Sequence, residues 1–148
     1  MIPVQSQLLR EYNRLFKEMD DLYHELARRA GLSDSAFDIL YTLCMTGDGC
    51  LQRDICNFSF ISKQTINSSI RKLEREGLIR LAAGKGRDTH IFLTPEGQQV
   101  VRERILPVAQ MEERAFSQIP PDQQRSLLAL TQAYVFGFRD LVDGPDGL

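Results

Sequence analysis

Apolar residues spaced three and four apart run through nearly the whole chain, and this spacing limits the fold more than any other feature. The first series runs from Leu8 through Tyr12, Leu15, Phe16, Met19, Leu22, Tyr23, Leu26 and Ala27 to Ala30, with charged residues between its members. A stripe of that period is one side of a helix, so residues 5–30 are predicted as one long helix, closed by Gly31. Ser33 caps a second helix with Ala36, Phe37, Leu40, Leu43 and Cys44 on one side. Thr46, Gly47, Asp48 and Gly49 make a turn. Leu51, Ile55 and Phe58 then mark a short third helix. Ser62 caps a fourth, to about residue 76, with Ile66, Ile70 and Leu73 inward and Gly77 as its stop.

The period changes only once. Residues 78–83 and 89–93 read as two short strands, joined by the flexible basic tip Gly84, Lys85, Gly86, Arg87 and Asp88. Helical spacing then resumes. Thr94 supplies a capping hydroxyl, Pro95 fits the first turn, and Glu96 faces the positive helix end. That helix continues through Val100, Val101, Ile105, Val108, Met111, Ala115 and Phe116, with a kink predicted at Pro107. Pro120 and Pro121 separate it from a last helix carrying Leu127, Leu128, Thr131, Tyr134, Val135 and Phe138 on one side. The expected fold is mainly α (α+β): a winged helix-turn-helix at 33–94, between an N-terminal helix at 1–30 and C-terminal helices at 95–142. The tail at 143–148 is expected to be disordered.

Several classes drop out. No apolar run reaches the roughly 20 residues needed to span a bilayer, and the start is neither basic nor apolar enough for a leader. A cytoplasmic protein with no membrane partner is expected. Cys44, Cys50 and Cys56 are odd in number and lack a CxxC spacing, so neither a disulfide framework nor a metal site is indicated. Cys44 and Cys56 read as packed, and Cys50, beside Gly49, as the most accessible thiol. No cofactor is implied. An enzyme would need a nucleophile with its base, a metal cluster or a phosphate loop. Gly84, Lys85 and Gly86 sit in a hairpin and do not lead into a helix, so they are no phosphate loop.

Charge distribution points elsewhere. Between Leu51 and Thr94 lie Arg53, Lys63, Arg71, Lys72, Arg75, Arg80, Lys85 and Arg87 against Asp54, Glu74, Glu76 and Asp88. This segment therefore carries +4 in a chain of net charge −2, leaving −6 for the ends. On the fourth helix, the stripe away from Ile66, Ile70 and Leu73 holds Lys63, Gln64, Asn67, Ser68 and Arg71, with Thr65 at its edge. It contains no acid and no large apolar group. Amides pair with adenine edges, and cations reach guanine or phosphate. A merely solvated face more often mixes Glu with Lys. The third helix and the turn 57–61 complete a helix-turn-helix, in which Phe58, Phe60 and Ile61 are expected to pack between the two helices. Lys85 and Arg87 form a thin basic wing tip suited to the minor groove.

These residues resemble a known family. Ser62-Lys63-Gln64-Thr65-Ile66-Asn67, then Leu73-Glu74-Arg75-Glu76-Gly77-Leu78-Ile79, then Arg87, then Leu93-Thr94-Pro95-Glu96-Gly97 look like the MarR family of transcription regulators. Lys85 stands where the family usually carries an Asp two residues before its wing Arg, which leaves Asp88 as the carboxylate that could orient Arg87. The resemblance implies a winged-helix homodimer, usually a repressor, often released from DNA by a small molecule or an oxidant.

The two ends of the chain are more apolar than a winged-helix lobe of about 65 residues requires. A two-fold dimer built from them is expected, reading a near-palindromic operator in duplex DNA. Phe16, Tyr23, Phe37, Tyr41 and Met111 are candidate contacts for an effector, although aromatic residues at helical spacing more often form core. The rival to a DNA-binding regulator is a winged helix used only for protein contacts, which would show apolar groups or acids on its fourth helix.

Overall fold

The computed structural model of the protein describes residues 4–59 and 61–145. The elements are α1 (Gln7–Arg29), α2 (Asp34–Thr46), α3 (Gln52–Phe58), α4 (Lys63–Arg75), β1 (Ile79–Ala83), β2 (Thr89–Leu93), α5 (Pro95–Val100), a π-helical turn (Val101–Ile105), α6 (Leu106–Phe116) and α7 (Pro121–Asp143). They form two compact units, Met1–Ala109 and Gln110–Leu148.

Helix ends follow the sequence signals. Ser33, Ser62 and Thr94 accept from the backbone N–H groups of Ala36, Thr65 and Gly97 at 3.2, 3.3 and 3.0 Å. Ser6 does the same for Leu9, so α1 starts two residues later than predicted. Gly31 and Gly77 follow their helices at φ 70° and 73°. At each, the next amide reaches back five residues, Leu32 to Ala27 and Leu78 to Leu73, both at 3.0 Å. Only a residue without a Cβ takes that left-handed turn cheaply.

The core of the first unit gathers Ile39, Leu40 and Leu43 from α2, Ile55 from α3, and Ile66, Ile70 and Leu73 from α4. Ile79 and Ile91 from the strands and Ile105 from the π-helical turn complete it. The strands pair antiparallel, Ile79 opposite Leu93 and Ala83 opposite Thr89. A third short edge is added by residues 49–51: Leu51 bridges His90, and Cys50 accepts from the Ile91 amide at 2.9 Å. The wing is thereby bound to the segment that enters α3. The hydroxyls of Ser35 and Ser69 bond to each other and tie α2 to α4.

Two local expectations change. Phe58 does not pack between α3 and α4, being 66% exposed. The inner side of the turn is taken by Ser59, whose hydroxyl donates to the half-buried Asp38 of α2, and Phe58 lies one helical step away. Burial pushes the Asp38 carboxyl up, and the Ser59 hydrogen bond opposes this. Ile61 does pack against the core, and Phe60 lies outside the described residues. The disturbance expected at Pro107 arises one turn earlier, as the π-helical turn in which Leu106 donates to Val101. A proline ring crowds the carbonyl four residues back, here that of Glu103, and a wider turn gives it room.

In the first unit, Leu8, Leu15, Phe16, Met19 and Leu22 of α1 are at least half exposed, and only Ala27 of that helix is buried. In the second, α7 buries none of its 23 residues. Asp143, assigned to the tail by the sequence, belongs to α7, and residues 146–148 lie outside the described part. Among the described residues no helix is long and apolar enough to cross a membrane.

Candidate nucleic-acid interface

The side of α4 away from the core is exposed at Lys63, Gln64, Thr65, Ser68 and Arg71, and half-exposed at Asn67. The structure divides these residues by what their polar atoms already do. Thr65 shares a 2.9 Å hydroxyl contact with the cap Ser62, and Ser68 donates to the Gln64 carbonyl at 3.1 Å. The Asn67 carbonyl oxygen accepts from Gln52 Nε2 of α3. Lys63 and Arg71 enter no ion pair among the described residues, whereas Lys72 lies 3.8 Å from Glu76.

Sequence reasoning missed Arg75. It is exposed, enters no described ion pair, and lies four, seven and eleven residues beyond Arg71, Ser68 and Gln64. Those spacings place all four on one line along the helix. Helical spacing alone would have found it; the flanking Glu74 and Glu76 hid it. Gln52 had no such signal, because its partner lies fifteen residues away and across the turn.

The wing tip closes through Gly84 and Asp88, whose backbone groups bond at 2.8 Å, leaving Lys85 and Arg87 exposed. Asp88 does not orient Arg87. Its carboxylate is 3.1 Å from Arg53 of α3, an ion pair that fastens the wing to the helix-turn-helix. Geometry favours Arg53 because β2 is already held beside residues 49–51. At the base of the wing the Arg80 guanidinium lies 4.3 Å above the Phe92 ring on the paired strand.

Of the candidate effector contacts in the first unit, Tyr23, Phe37 and Tyr41 lie together. Phe37 is core, stacked on Tyr41 at 6.1 Å, and Tyr23 meets Tyr41 edge-on at 6.4 Å. Phe16 packs on Tyr12 instead, 4.8 Å away, and Met111 belongs to the second unit. A shallow cavity of about 330 Å³ lies at the junction of α1 and α2, lined by His24, Arg28, Leu32, Ser33 and Asp34, none of them among the predicted contacts. There His24 Nδ1 sits 2.8 Å from both oxygens of Asp34.

Cys50 is not set apart as the accessible thiol. All three cysteines are half-buried against the core. Burial pushes the Cys50 thiol up and the charges of Asp54 and Asp48 push it further, against a hydrogen bond with Thr46. Burial raises Cys44 as well. A reactive thiolate needs the opposite shift.

A two-stranded wing fastened to a helix-turn-helix defines the class of winged-helix proteins. Residues 30–88 match the sequence profile of the MarR family. A MarR family regulator from Neisseria meningitidis has the same fold, with a TM-score of 0.78 at 20% identity over 93% of this chain and 97% of that one. A MarR family transcriptional regulator from Streptomyces coelicolor, solved in complex with DNA, gives 0.71 at 22% identity over 98% of both chains. The PcaV transcriptional regulator of the same organism, solved with its natural ligand, gives 0.62 at 21% identity over 91% and 97%. Comparison with curated proteins found no match. Residues 30–88 thus match the MarR family, and the chain as a whole has the winged-helix fold of MarR family regulators.

Proposed function

We propose that this chain binds duplex DNA sequence-specifically as a homodimer, with α4 in the major groove and the wing tip at the minor groove. The observation that carries this is the unbroken exposed line Gln64, Ser68, Arg71 and Arg75, free of acids, beside a wing whose Lys85 and Arg87 are unpaired among the described residues. Donors and cations in that order suit base edges flanked by phosphates. The finer part of the reading is a repressor released by a small molecule. It rests on the match of residues 30–88 to the MarR family and on the half-buried, edge-on pair of Tyr23 and Tyr41.

Selection of bound duplexes from a random library, repeated at two salt concentrations, tests the reading. An enriched near-palindrome whose affinity falls steeply with salt is expected. Weak, salt-indifferent binding without enrichment would overturn it in favour of a protein-contact module.

Two substitutions divide the interface. Arg87→Ala should weaken binding to every duplex and reduce the slope of log K against log salt by about one. Unchanged affinity would remove the wing from the interface. Asn67→Ala should cost about 1–3 kcal/mol on the preferred site and much less on random DNA. Equal loss on both would mean that Asn67 reads no base.

A further inference from the structure

We propose that Gln52 sets the base preference of Asn67: by holding the Asn67 carbonyl oxygen towards α3, it turns the amino group and its donors to the groove and so selects guanine over adenine. The inference rests on the placement of α4 in the major groove proposed above.

An asparagine reads adenine with both ends of its amide at once. The carbonyl accepts from the N6 amino group while the amino group donates to N7. In this protein the two ends are not equally available. Gln52 is the first residue of α3, and its Nε2 donates to Asn67 Oδ1 across the helix-turn-helix. The amide is planar, so turning its oxygen towards α3 carries its amino group the other way. Oxygen and nitrogen then no longer lie side by side along one base edge. The oxygen keeps a second lone pair, but it lies on the α3 side, and the group turned to the groove is the amino group with its two N–H donors. Guanine presents two acceptors, N7 and O6, in the major groove. Adenine presents one acceptor next to a donor, which would face another donor.

The same contact makes Gln52 a positioning residue. It is half-buried, lies on the helix that precedes the reading helix, and acts through Asn67. Its backbone neighbourhood is fixed: Leu51 is bridged to His90, and Arg53 is paired with Asp88. Gln52 is therefore delivered to Asn67 by the attachment of the wing, and wing and reading helix are linked through adjacent residues of one short helix.

The test compares selections from a random duplex library for the intact protein and for N67A, Q52L and Q52E. Asn67→Ala identifies the operator position that Asn67 reads, as the one whose preference it erases. Guanine is expected there in the intact protein. Gln52→Leu keeps a side chain of comparable bulk but removes the donor, and should reduce the guanine-over-adenine preference at that position about tenfold, within what one base contact is worth. Gln52→Glu offers an acceptor instead, which draws the Asn67 amino group inward and turns its carbonyl out. The preferred base should then change to one bearing an amino group, adenine or cytosine. Loss of a fold-stabilising contact alone would lower affinity at all positions and change no preference. Random-duplex affinity at low salt and a thermal melt report whether each variant is folded. Adenine at the Asn67 position of the intact protein, or an unchanged preference there in both folded Gln52 variants, overturns the proposal while leaving the regulator reading intact. Absence of any enriched sequence from the intact protein overturns that reading, and this inference with it.

Discussion

Leu128→Glu combined with Val135→Glu is expected to convert the protein to a monomer and to lower its affinity for a near-palindromic operator by about 10²- to 10⁴-fold, the gain that linking two binding modules provides. The two positions are seven residues apart on α7, hence on one face, and are 59% and 51% exposed. Around them Leu127, Tyr134, Phe138, Leu141 and Val142 are exposed as well. An apolar surface of this extent is rarely left to water. Fully burying one such side chain is worth about 1.5–3 kcal/mol, so a helix with this many open positions can support a stable interface. A carboxylate placed there unpaired costs more than the lost burial. Two recognition helices must sit about 34–36 Å apart to meet successive major grooves; separate chains lose that spacing, and each then binds one half-site. Light scattering and operator titration read the result together. A variant that stays dimeric would exclude this face of α7 as the interface. A monomer with undiminished operator affinity would mean that DNA binding does not depend on the dimer.

Features that depend on neighbours in sequence were legible without a structure. The hydroxyls of Ser33, Ser62 and Thr94 bond amides three residues on, and glycine at positions 31 and 77 is demanded by local backbone geometry. The inward faces of α2 and α4 follow from period alone, because Leu40, Leu43, Ile66, Ile70 and Leu73 recur at three and four. What stayed hidden depends on which distant groups meet. Asp88 is one residue from Arg87 but pairs with Arg53, thirty-five positions away. Asn67 looked like a free amide because nothing in sequence brings Gln52 to it. Phe58 falls on the apolar period of α3 yet is exposed, while the Ser59 hydroxyl beside it donates to Asp38, twenty-one positions away. The turn residue Gly49 beside it makes the Cys50 thiol read as accessible in sequence. Burial and two nearby carboxylates decide it.

The same limit applies to Gly97, where the smallest possible substitution is expected to have a large effect. Gly97 is buried in the first turn of α5, at a place where a period-based reading would accept alanine. A Cβ there would stand 1.9 Å from the Leu78 carbonyl oxygen, 2.9 Å from its carbon and 3.3 Å from Leu93 Cδ2. That oxygen accepts from the Thr94 amide at 3.1 Å, while the Thr94 hydroxyl donates to the Gly77 carbonyl and accepts from Gly97. Backbone rather than a mobile side chain would have to give way. Overpacking of this kind costs about 3 kcal/mol, against a gain of at most about 1 kcal/mol from alanine's better helix propensity. The clash wins, and Gly97→Ala should lose about 2 kcal/mol, a large share of the roughly 5–15 kcal/mol that holds a domain together. Denaturant titration at fixed protein concentration measures it. Because Leu78 and Thr94 flank β1 and β2, the displaced base of the wing should also weaken binding to random duplexes. Arg87→Ala should weaken the same binding at unchanged stability. A more stable Gly97→Ala protein would mean that propensity outweighs the contact, and that α5 can move off Leu78 without cost.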